Sequence, residues 1–262
     1  MISESALRGY VLEEVLARLL RENGYSLLVR ESQDRAALRD SARGLLVRGR
    51  GADHQADALG ELQIPTPFSL PVRLFAEAKF RGEAVGITAV RNAVGLLDDI
   101  NAYYRDDTGD GLPLRRYHYR YVLFSTKGFT ADAQRYALAH QISLIDLQGP
   151  AFEDLRAVTA GATRRLLDLA ERSGVPAFPL WQARAALRHA LGTWTAEDRS
   201  PDAAHGAPLS DVITIEEMSA GQPLQLPAGS LTPHRREPGR RPRRPAHAGI
   251  PSGAVRPGPP AR

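Results

Sequence analysis

The sequence has no cysteine, and it has only two lysines, Lys79 and Lys127, against 32 arginines. The first absence excludes disulfides, thiol nucleophiles and cysteine-ligated zinc. Long apolar runs are missing as well. Nothing approaches the roughly 20 consecutive apolar residues that a membrane span needs. The first twenty residues mix Glu4, Arg8, Glu13, Glu14 and Arg18 with leucines, unlike a secretory leader. A cytoplasmic protein with no membrane partner is the expectation.

The excess of arginine gives a net charge of +4, which invites a nucleic-acid partner until its position is considered. Residues 221–262 carry eight arginines and the single acid Glu237, a sum of +7, so residues 1–220 carry −3. The basicity belongs to the end of the chain. There 16 of 42 residues are proline or glycine, a fraction too high for a packed core, and the expectation for 195–262 is a largely disordered Pro/Gly/Arg-rich tail.

What remains has the periodicities of an α/β protein. Residues 9–24 predict an amphipathic helix with Leu12, Val15, Leu16, Leu19 and Leu20 on one stripe and Gly24 as its stop. SLLVR at 26–30 is strand-like, a charged stretch at 33–42 is compatible with a helix, and GLLVRGRG fits a buried strand running into a glycine-rich turn that holds Asp53 and His54. Strands are predicted over 55–62 and 71–80, separated by a proline-bearing loop. Residues 87–104 predict a helix buried through Val90, Val94, Leu97, Ile100 and Tyr104. After a polar loop, HYRYVLFS (118–125) is a strand, Thr130 caps a helix to His140, and ISLIDL (142–147) is a short buried strand. The alternation predicts an α/β sandwich with one central mixed sheet flanked by helices over residues 1–150. A helical extension follows over 151–194, with no evident chemistry, padding the core or forming a dimer surface.

In the strand VRLFAEAKF, period-two alternation puts Arg73, Phe75, Glu77 and Lys79 on one face and apolar residues on the other. Two charges side by side on a largely apolar strand are costly unless paired, hydrated or bound to something. Twenty residues upstream, Asp57 lies in QADALGEL, read as the antiparallel neighbour that brings it beside Glu77. Two carboxylates and a lysine at one sheet edge suit phosphodiester hydrolysis. The carboxylates would hold Mg²⁺, with Mn²⁺ as a substitute, and the compact ammonium would orient water or stabilise developing charge. Lysine here stands against the arginine habit of the chain, and arginine would serve poorly in that role. A lone Glu-x-Lys on an exposed strand is otherwise an ion pair of little worth.

These segments, in this order, resemble the catalytic domain of Mrr-like restriction endonucleases, a branch of the PD-(D/E)xK nuclease superfamily, over roughly residues 5–150. GYVLEEVLARLLRENGY resembles the family's opening helix, and GRGADHQADALG resembles its glycine-rich turn and first metal-binding aspartate. FAEAKF resembles its (Q/E)xK strand, and VLFSTKGFTADAQRYALAHQISLIDL its closing strand-helix-strand unit. Many Mrr-type enzymes have glutamine where this chain has Glu77; the acidic form is the broader superfamily pattern. The resemblance implies a restriction-endonuclease-like sandwich, Asp57, Glu77 and Lys79 as the reactive core, and Asp57 and Glu77 as metal ligands. It also implies a glutamate on the first helix. Measured from Leu12, Glu13 lies about 100° round the helix and Glu14 about 200°. Glu13 is therefore favoured for the site, and Glu14 is expected to point to solvent. His54, Thr126 and Lys127 are candidates for contacts to DNA.

The function implied is a metal-dependent endodeoxyribonuclease of restriction or defence. Its rivals are a repair or junction-resolving nuclease on the same fold, a catalytically silent module that binds DNA or a partner, and a plain structural domain whose Glu77 and Lys79 form a surface pair. Mrr-like enzymes often carry a DNA-reading domain before the catalytic one, whereas this chain starts almost directly on the catalytic helix. Recognition is then expected from the 151–193 helices, a separate partner or DNA structure, and cleavage of both strands favours a homodimer.

Overall fold

A computed structural model describes residues 2–41, 44–64, 67–80, 82–103, 116–174 and 177–193. The first helix, α1 (Glu4–Glu22), begins earlier than the leucine stripe because Ser3 caps it, its hydroxyl accepting the Ala6 N–H at 3.2 Å. Gly24, at φ +84°, turns the chain into β1 (Tyr25–Leu27), a left-handed conformation glycine adopts without strain. The stretch at 33–42 is not a helix. One 3₁₀ turn (Glu31–Gln33) leads into β2 (Leu38–Ser41), which pairs with β3 (Gly44–Arg48), itself paired with β4 (Asp53–Gln55), in a separate antiparallel sheet. Leu38 and Val47 are fully buried beneath that sheet, and their burial overrides the charged, helix-compatible composition.

The strand expected over 55–62 is broken. β4 ends at Gln55, and after Ala56 and Asp57 the chain enters β5 (Ala58–Leu62) in the main sheet. That sheet also contains β6 (Val72–Lys79), β7 (His118–Ser125) and β8 (Ser143–Asp146), in the order β1-β5-β6-β7-β8. Its first two pairings are antiparallel and its last two parallel, so the sheet is mixed. The parallel steps use the helices α2 (Ile87–Ala102) and α3 (Ala131–Ala139) as crossovers. Thr130 caps α3 as expected, accepting the Ala133 N–H at 3.3 Å. Two further helices follow, α4 (Glu153–Arg172) and α5 (Leu180–Ala190).

The sheet divides two hydrophobic cores. On one face Ala58, Ala76, Val122 and Phe124 pack with leucines of α1, and Leu155, Leu166, Ala183 and Leu187 of α4 and α5 join the same cluster. On the other face Phe75, Tyr121 and Leu123 pack with Val90 and Ile100 of α2, Ala133 of α3, and Leu38 and Val47 of the small sheet. The helices beyond residue 150 thus share the core of α1. Among the described residues no helix is long and apolar enough to cross a membrane. Tyr104, the 105–113 loop and the arginine-proline tail lie outside the described residues.

Candidate active site

Register places the reactive residues. Antiparallel pairing of Ala58 with Ala76 sets Asp57 opposite Glu77, and the Asp57 N–H donates to the Ala76 carbonyl at 3.2 Å. Asp57 sits at the joint where the chain passes from the small sheet to the large one. Its Oδ2 accepts the Ala78 N–H at 2.7 Å, which fixes the carboxylate against the end of β6. Glu77 and Lys79 stand on the β6 face of Phe75, as alternation requires, and their side chains form an ion pair only about a quarter exposed. The structure therefore brings Asp57, Glu77 and Lys79 together.

Arg73, on the same face, serves a structural purpose. Buried to 1 % exposure, it pairs with Asp34 at 2.7 Å and Glu61 at 3.0 Å, donates to the Tyr119 hydroxyl, and stacks over Tyr117. Fully paired, it ties β6 to β5, β7 and the 3₁₀ turn, away from any reactive role.

Tyr121 is a neighbour the sequence reading missed. Parallel pairing sets it opposite Phe75, whose ring it stacks on at 5.1 Å, and its hydroxyl donates to Glu77 Oε2. Burial and the Glu77 charge both push this phenol's pKa upward, so it remains a donor. Glu77 is thus held by Lys79 on one oxygen and Tyr121 on the other. No local motif marks Tyr121; only the β6–β7 register does.

The two helix glutamates have different fates. Glu13 is four-fifths buried and pairs with Arg184 at 3.0 Å. Burial pushes its carboxyl up to about 7; Arg184 opposes that rise, while the Asp57 charge adds to it. Asp57 is likewise raised by burial, opposed by the Ala78 N–H, with Glu77 adding to the rise. Glu13, Asp57 and Glu77 therefore form one electrostatically coupled group. Glu14 does not point to solvent: it is 2 % exposed, bound by Arg184 at 2.7 Å and Arg188 at 3.0 Å. α1 is buried on more than one side, which a single apolar stripe does not convey. With the sheet on one side and α4 and α5 on another, the arc containing Glu14 is buried too. The two arginines, four apart on one face of α5, are the counter-charges that permit this.

The DNA-contact candidates divide. Thr126 N–H donates to the Lys79 carbonyl at 3.3 Å, placing Thr126 and the exposed Lys127 at the same sheet end as the reactive group. The Thr126 hydroxyl is buried without a hydrogen-bond partner. His54 is engaged elsewhere. It and Asp53 lie in β4 instead of a turn, and His54 Nε2 meets Asp99 Oδ2 of α2 at 2.7 Å. Asp99 also accepts the N–H groups of Gly51 and Ala52, and this set of donors, His54 foremost, holds its carboxyl below the ordinary range. A Cβ on Gly49 would strike the Asp99 carboxylate and the Ala52 carbonyl. The glycine-rich turn therefore wraps Asp99.

Among the described residues no group of three or more His, Asp or Glu side chains is arranged to hold a metal ion. The Asp57–Glu77 pair is a set of two hard oxygen donors, one of them raised in pKa by burial and by its partner's charge. Such a pair fits Mg²⁺, which keeps several of its waters and typically takes one or two protein carboxylates. An added cation would relieve the repulsion within the pair, and Lys79 lies close enough to act on the same ligand sphere.

No protein-family model matches the chain, and no curated protein matches it. One solved structure, the crystal structure of a protein of unknown function, is similar over 71% of this chain and 99% of its own, at 16% identity and a TM-score of 0.40. A likeness at that level carries no argument about fold or activity.

Proposed function

We propose that the chain is a metal-dependent endodeoxyribonuclease on a restriction-endonuclease-like fold, akin to the Mrr-like enzymes and acting in the cytoplasm in restriction or defence against foreign DNA. The observation that supports it most is the convergence of Asp57, Glu77 and Lys79 from adjoining strands at one end of the central sheet. Asp57 and Glu77 would hold Mg²⁺, or Mn²⁺ in its place, and the bound ion supplies Lewis acidity toward water and screens the phosphate charge. Lys79 orients the attacking water and stabilises charge that develops on the phosphate oxygens. Tyr121 and the Ala78 N–H fix the two carboxylates before substrate arrives. Thr126 and Lys127 stand where the DNA backbone would pass. Cutting both strands favours a homodimer, which supplies two such sites, and recognition would come from the 151–193 helices, a separate DNA-recognition partner or DNA structure.

A second reading, a silent module that binds DNA without cutting it, draws on the engagement of Glu77 by both Lys79 and Tyr121 and on the two-carboxylate donor set. One experiment separates them. Supercoiled plasmid is incubated with the protein, Lys79→Ala and Glu77→Ala, with Mg²⁺ and with chelator. Metal-dependent nicking by the wild type alone is expected. Equal nicking by all three, or nicking in chelator, would sink the site. DNA binding with no nicking would favour the silent module.

A further inference from the structure

Asp57 also lines a cleft that Glu77 and Lys79 do not reach. Its volume is about 720 Å³, inside the ~300–1,000 Å³ typical of clefts that enclose ligands. One wall is α1, with Tyr10 and Glu13; another is α5, with Trp181 and Arg184; β1 and the residues that follow it, the strands of the small sheet and the start of β5 supply most of the rest. Trp181 is 49 % exposed, an unusual state for the side chain with most to gain from burial. Trp181, Arg184 and Arg188 follow at i, i+3 and i+7, one face of α5. The acids of α1 on this wall are already neutralised, Glu13 by Arg184 and Glu14 by Arg184 and Arg188. Arg184 in turn lies over the Tyr10 ring at 5.5 Å. The wall facing Trp181 therefore presents aromatic and paired ionic groups, while Asp40 and Asp57 are the other acids of the cleft and Arg30 its remaining arginine.

We propose that this cleft is a subsite for an unpaired nucleotide of the substrate strand, its base stacked on Trp181 and its backbone leading to Asp57. The proposal rests on the nuclease reading and names its substrate class. In a duplex both faces of each base are covered by neighbours, so a base reaches Trp181 only after leaving the stack. Aromatic platforms beside a backbone track accept any base, because every base has a π-face. Single-stranded, frayed, branched or locally melted DNA is then the preferred substrate over intact duplex.

The sequence has two tryptophans, Trp181 and Trp194, so in the full chain carrying Trp194→Phe the fluorescence reports Trp181 alone. In chelator, a short single-stranded oligodeoxynucleotide should quench that fluorescence saturably, and its blunt duplex should do so only at much higher concentration. By polarisation of a labelled strand, Trp181→Ala should weaken single-strand binding roughly five- to 150-fold, the loss typical of one stacked base, and Trp181→Phe should retain most of it. Equal quenching by duplex, no quenching, or unchanged binding by Trp181→Ala would overturn the subsite; the last is what binding through the arginine tail alone would give. Plasmid nicking with Mg²⁺ by the same Trp194→Phe protein tests the nuclease reading separately. Nicking without quenching sinks the subsite and spares the nuclease; quenching without nicking supports the nucleotide cleft on a silent module.

Discussion

Arg184 of α5 binds Glu13 at 3.0 Å and Glu14 at 2.7 Å, one guanidinium bridging two consecutive carboxylates of α1. Because Glu13 is coupled to Asp57, this contact extends the reactive group into a helix that contributes no ligand to it. Arg184→Ala leaves Glu14 buried against Arg188. A loss of about 1.5–3 kcal/mol is expected, the range for hydrogen bonds to charged groups, read from urea unfolding at neutral pH. A loss below about 0.5 kcal/mol, the size of an ordinary surface substitution, would show that the bridge is not structural.

Glu13 should impose a pH dependence on stability. Its folded-state pKa of about 7 lies above its ordinary value of 4.5, so the folded protein holds a proton that the unfolded chain releases. The protonated carboxyl is fully compatible with the fold below pH 4.5, and stability declines as pH rises from there through 7. The decline amounts to about 3 kcal/mol from this group. Glu13→Gln removes it. Subtracting the variant's unfolding free energies from those of the wild type, from pH 4.5 to 8, should leave a downward slope; parallel curves would refute the assignment.

Tyr121→Phe deletes the hydroxyl on Glu77 Oε2 and leaves the stacking with Phe75 intact. If Glu77 is a metal ligand, the variant should need more Mg²⁺ or nick more slowly, by roughly 10–100-fold, as when outer partners of ligands are removed. The stability cost should be only about 1 kcal/mol. Titration of nicking rate against Mg²⁺ distinguishes the two losses, and an unchanged Mg²⁺ requirement and rate would assign Tyr121 to packing alone.

His54→Ala should cost stability and leave function alone. Its contact with Asp99 braces the turn that carries Gly49, so stability should fall by about 1 kcal/mol while the salt dependence of DNA binding stays unchanged. Gly49→Ala should be more severe, about 1–3 kcal/mol as for overpacking, because the new methyl group meets both the Asp99 carboxylate and backbone. A flatter salt slope in His54→Ala would restore it as a phosphate contact.

Much of the architecture could be read from periodicity. Alternation in VRLFAEAKF assigned the faces of β6 correctly, and Thr130 announced its helix. What failed depended on distant packing. The 33–42 stretch carries helix-compatible charges, yet Leu38 is drawn under the small sheet. Gln55–Leu62 reads as one alternating strand, yet the chain changes sheets at Asp57. Glu14 looks solvated until α5 arrives from 170 residues away with its arginines. Tyr121 sits in an apolar strand with no motif around it, and only strand register reveals that its hydroxyl meets Glu77. The juxtaposition of these side chains was legible where it is local to β6 and illegible where it depends on β7 and α5.

The two-residue joint between the sheets has a consequence for how this protein tolerates change. Asp57 follows Ala56 directly at the place where β4 ends and β5 begins, so its carboxylate stands on a corner post shared by two frames. A substitution that tilts the small sheet by a few degrees, at Leu38 or Val47 for example, need not unfold anything. It would swing Asp57 relative to Glu77, and the first property lost would be alignment of the pair.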